Sequence, residues 1–179
     1  MTIEDLAIQG RDANLSSAER TYDNIYKMRN KTLMNTFLKR DMGHRNQLTA
    51  TINGVQFIDD SLALSPNATW FTFYQTNEPI VWIVENLSKK DIDLKEQVST
   101  IKEKVKTVIV IDGEKESKKM LSQLRKVTNI VETDEMSKAV ELGFHLAAEG
   151  MKVIYSPASG TSDKALLRGM EYNNCVNNL

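Results

Sequence analysis

Two short segments of the chain contain only apolar residues, and they constrain the fold more than any other feature. They are Ile80–Val84 and residues 108–111. A strand with one buried face alternates apolar and polar side chains, whereas a strand buried on both faces reads as a continuous apolar run. Burial on both faces is typical of parallel sheets that are covered by helices on both sides. The two runs therefore predict an α/β protein.

Helical patterns alternate with the predicted strands along most of the chain. The strand candidates in this region are 80–85, 107–112, 129–132 and 152–156. The helix candidates are 65–76, 94–105, 115–126, 134–149 and a last helix from Ser162 towards Asn174. Repeated β-α units with right-handed crossovers form a doubly wound open sheet. We expect a Rossmann-like, mostly parallel sheet of about six strands, with helices on both faces.

The segment 48–60 predicts an antiparallel hairpin at one edge of this sheet. Two β-favouring runs meet at Asn53-Gly54, and both residue types tolerate the positive φ angles that a tight hairpin turn needs. Upstream, the polar residues 1–15 precede Ser16-Ser17-Ala18-Glu19, which has the form of a capping box. An amphipathic pattern follows over 17–41. We expect an N-terminal arm and amphipathic helix over 1–43 and a second domain over 44–179.

Composition excludes several classes of partner. Lys plus Arg is 23 and Asp plus Glu is 24, so the chain lacks the basic excess of a nucleic-acid-binding protein. Its apolar runs are far shorter than the roughly 20 residues that span a bilayer, and its start lacks the apolar region of a secretory signal. The single cysteine, Cys175, cannot form an internal disulfide. We expect a soluble, cytoplasmic protein with neither nucleic acid nor membrane as a partner.

Several catalytic motifs are absent from the 179 residues. The chain has no Gly-x-x-x-x-Gly-Lys-Ser/Thr, no Gly-x-Gly-x-x-Gly and no Gly-x-Ser-x-Gly. It therefore lacks a P-loop, the ordinary dinucleotide fingerprint and the nucleophile elbow of α/β-hydrolases. His145 is interpreted as an exposed helix residue, and Cys175 has no cationic neighbour in sequence that would lower its pKa. No catalytic residue is predicted.

Two polar stretches follow strand candidates, where doubly wound sheets bind their ligands. In 57–69 a strand ends in the pair Asp59-Asp60, and Ser65-Pro66 suits the start of a helix. In 155–163 small and hydroxyl residues precede a helix, which suits a carboxylate or phosphate held by backbone N–H groups. Each stretch is equally well explained as a strand-to-helix loop with a good cap.

Three motifs, taken in order, resemble the C-terminal domain of Mur ligases, above all the D-glutamate-adding members. They are His44-Arg45, Asn-Gly-Val-x-Phe-Ile-Asp-Asp-Ser-x-Ala-x-Ser-Pro-x-Ala-Thr at 53–69, and Ser-Pro-Ala-x-x-x-Ser-Asp at 156–163. The resemblance implies a role in peptidoglycan precursor synthesis for the cell wall. In that family a first domain binds the UDP-sugar and a central domain binds ATP through a P-loop. The third domain, which this chain resembles, closes over the nucleotide and contributes the amino-acid pocket.

The resemblance also implies roles for five residues. Arg45 is expected to face the nucleotide phosphates, and Asp60 the ribose or adenine side. Lys90 is expected to bind the carboxylate of a small acidic amino acid, and Thr161 with Ser162 to hold the same ligand. No intrinsic cofactor or metal is implied, because ATP or ADP and Mg²⁺ would bind only where a partner supplies the central ATPase domain, as in a split ligase.

The chain departs from the family pattern at several of these positions. Leu62 and Leu64 stand where a lysine and a threonine are usual, Glu85-Asn86 replaces a glycine pair, and Arg168 replaces an aromatic residue. A leucine cannot donate a hydrogen bond to a carboxylate, and a glutamate repels an anion. We therefore expect only weak binding of acidic amino acids or ADP.

Three classes of function stay open from the sequence. The first is a ligase C-terminal domain, as a fragment or as a stand-alone descendant, that is inactive on its own. Met1 and the capping box favour an independent gene product. The second is a degenerate, non-catalytic module that binds a small anion or a protein. The third is an enzyme in which Asp59 and Asp60 bind Mg²⁺, although the sequence offers no second cluster of ligands.

Overall fold

The computed structural model describes residues 43–88, 91–111 and 118–179. Gly43–Leu179 forms one compact unit. The arm and amphipathic helix predicted over 1–43 lie outside the described residues, except for Gly43.

Strands and helices alternate through this unit much as the sequence predicts. The strands are β1 (Gln47–Ile52), β2 (Val55–Asp59), β3 (Ile80–Val84), β4 (Val105–Ile111), β5 (Asn129–Thr133) and β6 (Lys152–Tyr155). The helices are α1 (Pro66–Gln75), α2 (Val98–Lys104), α3 (Lys118–Leu124), α4 (Met136–Leu146) and α5 (Ser162–Asn177). Helices α2 and α4 are shorter than predicted: they begin at Val98 and Met136, and extended backbone at Val105 and Ala147 ends them.

The six strands form one sheet in the order β1-β2-β6-β3-β4-β5. Strands β1 and β2 pair antiparallel, and every other neighbouring pair is parallel. Asn53 and Gly54 have φ angles of 49° and 77°, as a two-residue hairpin turn requires. The predicted sheet, with its antiparallel edge, is confirmed.

Apolar side chains pack on both faces of the sheet. One cluster joins Trp82 of β3 to residues of α1, α2 and α3, including Phe73 and Met120. The other joins Val81 and Ile83 of β3 to residues of α4 and α5. All five residues of β3 are fully buried, which explains why its sequence has no polar position. At about 1.5–3 kcal/mol for each large apolar side chain, these clusters hold the strand ends in place.

None of the helices within the described residues is long and apolar enough to cross a membrane.

Candidate functional site

The ends of three neighbouring strands bring the predicted polar stretches together. Strand β6 lies between β2 and β3 and runs parallel to both. The residues that follow these strands therefore share one edge of the sheet, the edge formed by the carboxyl ends of the strands. The backbone N–H of Asp60 donates to the carbonyl of Tyr155 at 2.9 Å, and that of Ser156 donates to the carbonyl of Ile83 at 3.0 Å. Asp60, Glu85 and Ser156 therefore lie on the same edge, where doubly wound sheets place their ligands.

Asp60 is fully buried at this edge and forms an ion pair with Arg45. One Arg45 nitrogen lies 2.7 Å from Oδ1 of Asp60, the N–H of Asn46 donates to the same oxygen at 3.1 Å, and Oγ of Ser156 donates to Oδ2 at 3.1 Å. Burial raises the pKa of Asp60 from 3.8 to about 6, and attraction to Arg45 with the hydrogen bonds opposes the rise only in part. At neutral pH the carboxylate is therefore ionised and holds the Arg45 guanidinium at the sheet edge.

Ser156 connects this carboxylate to the rest of the core. Its hydroxyl lies 2.7 Å from Oγ1 of Thr69 in α1, and its carbonyl accepts the indole N–H of Trp82 at 2.8 Å. Because Trp82 and Thr69 are buried, the loop after β6 is tied to both β3 and α1. The position of Ser156 is thus set by the fold and not by a ligand.

Asp59, the other member of the acidic pair, belongs to a separate network. Its Oδ2 lies 2.6 Å from Nδ1 of His44 and accepts from Nδ2 of Asn173 at 2.7 Å, while Oδ1 accepts the N–H of Ser61 at 2.9 Å. Among the described residues, no group of three or more His, Cys, Asp or Glu side chains could hold a metal ion. The two carboxylates already have protein partners, so the geometry does not support the Mg²⁺ enzyme considered from the sequence.

Helix α5 packs closely on this network at Gly169. A Cβ atom at this position would lie 2.2 Å from Oγ of Ser61 and 2.7 Å from Nδ1 of His44, well inside the contact distance of such atoms. Only glycine lets the backbone of α5 approach the loop after β2 this closely.

Two departures from the family pattern contact each other. Nε of Arg168 in α5 donates to Oε2 of Glu85 at 2.7 Å, with 23% and 19% of the side chains exposed. The hydroxyl of Tyr155 donates to the same oxygen at 3.4 Å, and Arg168 also pairs with Glu171. Burial raises the pKa of Glu85, against a smaller opposing effect of Arg168. Sequence reasoning missed this pair because the two residues are 83 positions apart.

Two of the predicted amino-acid-binding residues, Thr161 and Ser162, follow the loop after β6, and this loop is joined to the loop after β3. Oγ of Ser159 donates to the side-chain oxygen of Asn86 at 3.1 Å. Thr161 is the N-cap residue of α5, although its side chain makes no capping bond to the described residues, and Thr161 and Ser162 are exposed. Lys90 lies outside the described residues. The role of these three residues in binding stays a prediction.

A cleft of about 330 Å³ lies beside the start of α1. It is lined by Ser65, Pro66, Asn67, Asp93, Lys95, Glu96 and Gln97. Oγ of Ser65 accepts the N–H of Ala68 at 3.2 Å, and Pro66 is the first residue of the helix, so the predicted cap is confirmed. Of the predicted site residues that the structure describes, none lines the cleft. Sequence reasoning did not find it, because its walls come from two segments that no motif connects.

The two residues that the sequence left without a function have ordinary surroundings. His145 is exposed in the last turn of α4. Burial raises the pKa of the Cys175 thiol, so the reactive thiolate is disfavoured at neutral pH.

Comparison with known proteins finds relatives by sequence and a neighbour by structure. No family model matches the chain. UDP-N-acetylmuramoylalanine–D-glutamate ligase from Christiangramia forsetii is 28% identical over 185 residues, which cover 100% of this chain and 41% of that protein. The ligase of the same name from Cytophaga hutchinsonii is 30% identical over 140 residues, which cover 76% of this chain and 31% of that protein. This chain therefore spans less than half the length of these curated relatives.

Among solved structures, a murein peptide ligase from Psychrobacter arcticus superposes with a TM-score of 0.50 at 12% identity. The superposition covers 76% of this chain and 30% of that chain. At this identity the likeness concerns the fold alone.

Proposed function

We propose a function on the basis that this chain is a Mur ligase C-terminal-like domain. The domain supplies nucleotide and amino-acid contacts to a ligase of peptidoglycan precursor synthesis. The ligase would be of the UDP-N-acetylmuramoylalanine–D-glutamate type. The observation that carries the proposal is the ion pair of Arg45 and Asp60 at the shared edge of β2, β6 and β3. The cytoplasmic location expected from the sequence is part of this proposal.

In this proposal Arg45 contacts the phosphates of a nucleotide. A guanidinium offers several N–H donors in a fixed plane, which suits phosphate oxygens. Asp60 holds Arg45 in position, since both of its oxygens face protein groups. A contact between Asp60 and the ribose, as the family resemblance implies, requires one of these partners to be exchanged for the sugar hydroxyl.

The amino-acid side of the proposed site begins at α5. The exposed Thr161 and Ser162 lie at the helix N-terminus, where backbone N–H groups and the helix dipole favour a carboxylate. Lys90 would supply a positive charge. Leu62 and Leu64 supply no donor, so the proposed affinity for D-glutamate is low. Each missing charge-assisted hydrogen bond removes about 1.5–3 kcal/mol, which is tenfold or more in the dissociation constant.

The chain alone is not proposed to catalyse ligation. In such a ligase the terminal phosphoryl group of ATP moves to a carboxylate, and the amine of the amino acid then displaces phosphate from the acyl carbon. Phosphoryl transfer needs a phosphate cradle, a lysine and bound Mg²⁺. The sequence has no P-loop, so the ATPase domain must come from outside these 179 residues. The purified chain should therefore show no amino-acid-dependent ATP hydrolysis.

A second function is a non-catalytic module that binds a small anion or a protein partner. The observation in its favour is the pair of Glu85 and Arg168. It occupies the positions where the family resemblance implies a glycine pair and an aromatic residue, so in this second function the amino-acid side of the domain would differ from that of a D-glutamate-adding ligase.

Calorimetric titration of the full chain with ADP distinguishes the two functions. The ligase function predicts a dissociation constant in the high-micromolar range or weaker, and at least a tenfold loss of affinity in Arg45→Gln. Arg125→Gln is the matched control, because Arg125 pairs with Glu132 on the surface, and it should bind ADP like the wild type.

Equal ADP binding by Arg45→Gln and wild type, with circular dichroism showing both folded, would contradict the nucleotide role. Turnover of ATP by the chain alone, lost when Lys90 is replaced, would contradict the inactivity that we propose.

A further inference from the structure

We propose that Arg168 and the Tyr155 hydroxyl form a binding site for a free carboxylate, and that in this chain the side chain of Glu85 occupies it as a built-in ligand. The ligand class is a small carboxylic acid, or the acidic group of an amino acid. The proposal rests on the same ion pair as the second function proposed above, and it is independent of the ligase function, because it involves no nucleotide and no second protein. As long as Glu85 is present, acidic ligands are excluded from this part of the sheet edge.

The carboxylate of Glu85 is held as a bound anion would be. Arg168 and Tyr155 direct their donors at a single oxygen, Oε2, at 2.7 and 3.4 Å. Both charged side chains are about four-fifths buried, so water competes little for the guanidinium. A charge-assisted bond to a partly buried guanidinium is stronger than the same bond on an open surface.

The donors are positioned by parts of the fold that do not include Glu85. Tyr155 is fully buried in β6, and its ring stacks on that of Tyr172 with 5.4 Å between centroids. Arg168 belongs to α5, and its second partner, Glu171, lies one turn further along the same helix. Shortening residue 85 therefore leaves the two donors in place and removes only the anion between them.

Glu85→Ala tests this directly, because the atoms it removes correspond to those of acetate. We would measure the thermal unfolding of the full chain in sodium acetate and in sodium chloride at equal ionic strength, up to about 100 mM. If acetate binds Glu85→Ala with a dissociation constant of about 10 mM, the midpoint should rise by about 3 °C relative to chloride. The wild type should show no difference between the two salts.

Two further variants serve as controls. The double variant Glu85→Ala/Arg168→Gln should lose the acetate effect, because the guanidinium is gone. Glu132→Ala should show no acetate effect either. It removes a glutamate from a surface ion pair with Arg125, whose side chain is 63% exposed. An acetate effect equal to that of chloride in Glu85→Ala, or an equal effect in the double variant, would overturn the proposal.

Glu85→Gln keeps the proposal testable if Glu85→Ala does not fold. Glutamine preserves the volume of the side chain but removes its charge, so a free carboxylate competes for Arg168 against a neutral amide. Titration of the ¹⁵N-labelled variant with acetate should then shift the Nε–H resonance of Arg168 saturably, whereas chloride should not. A resonance that acetate and chloride move equally would overturn the proposal by this route.

Discussion

Replacement of Asp60 by asparagine should change how the stability of this domain depends on pH. Burial raises the pKa of Asp60 from 3.8 to about 6 in the folded state. Below about pH 3 the carboxyl is protonated in both folded and unfolded chains. Between about pH 4 and 6 the unfolded chain releases this proton while the folded chain retains it, so stability falls as the pH rises. The loss is complete once the pH exceeds the folded pKa.

The size of the effect follows from the two pKa values. A rise from 3.8 to about 6 corresponds to a total loss of about 3 kcal/mol in the free energy of unfolding, of which roughly 2.4 kcal/mol falls between pH 4 and pH 7. Asparagine resembles the protonated carboxyl and does not titrate. Its Oδ1 can accept from Asn46, and its amide can donate to Ser156, whose hydroxyl can turn to donate to Thr69. Asp60→Asn should therefore exceed the wild type by only about 0.5 kcal/mol near pH 4 and by about 3 kcal/mol near pH 7.

Urea unfolding of both chains, followed by circular dichroism at about pH 4, 5, 6 and 7, measures this difference. Asp93→Asn is the matched control. Asp93 is an exposed carboxyl whose pKa is lowered, chiefly by its hydrogen bonds to Lys119 and Gln123. The stabilisation that the ionised Asp93 contributes is lost only as the pH falls below the ordinary pKa of aspartate. The free energy of unfolding of Asp93→Asn should therefore differ from that of the wild type by a nearly constant amount from pH 4 to 7. An Asp60→Asn chain that becomes less stable than wild type as the pH rises would refute the reasoning, because the ion pair with Arg45 would then outweigh desolvation.

Three further substitutions test the packing around the site. Gly169→Ala places a Cβ 2.2 Å from Oγ of Ser61 and should cost about 1–3 kcal/mol in urea unfolding, whereas alanine at an open helix position is stabilising by up to about 1 kcal/mol. Trp82→Phe leaves the carbonyl of Ser156 without its indole donor and should cost about 1–3 kcal/mol; an unchanged thermal midpoint would contradict this. Ser65→Ala removes the cap of α1 and should cost about 1 kcal/mol, most of which Ser65→Asp should restore.

Local sequence patterns were enough to predict the elements of the fold and their layering. The continuous apolar run of β3 predicted a strand buried on both faces, and all five of its residues are buried. Asn53-Gly54 predicted the hairpin, and Ser65-Pro66 the start of α1. These predictions succeed because side-chain period, positive φ and capping depend on residues a few positions apart.

The sequence also indicated where a site could lie, through motifs that resemble those of Mur ligases. Arg45 and Asp60 are brought together in an ion pair, and Thr161 and Ser162 are found at the start of α5. The sequence did not predict that Asp60 is wholly enclosed by protein groups, because a motif specifies residue types and carries no information on burial.

Which groups meet at the sheet edge depends on long-range packing and could not be predicted from local patterns. Glu85 appeared in the sequence as an obstacle to an anion and Arg168 as a lost aromatic, yet they form one ion pair. Their contact depends on the packing of α5 and on β6 lying between β2 and β3. No local pattern encodes such a strand order, because the energy that selects it comes from burying apolar surface between segments far apart in the chain.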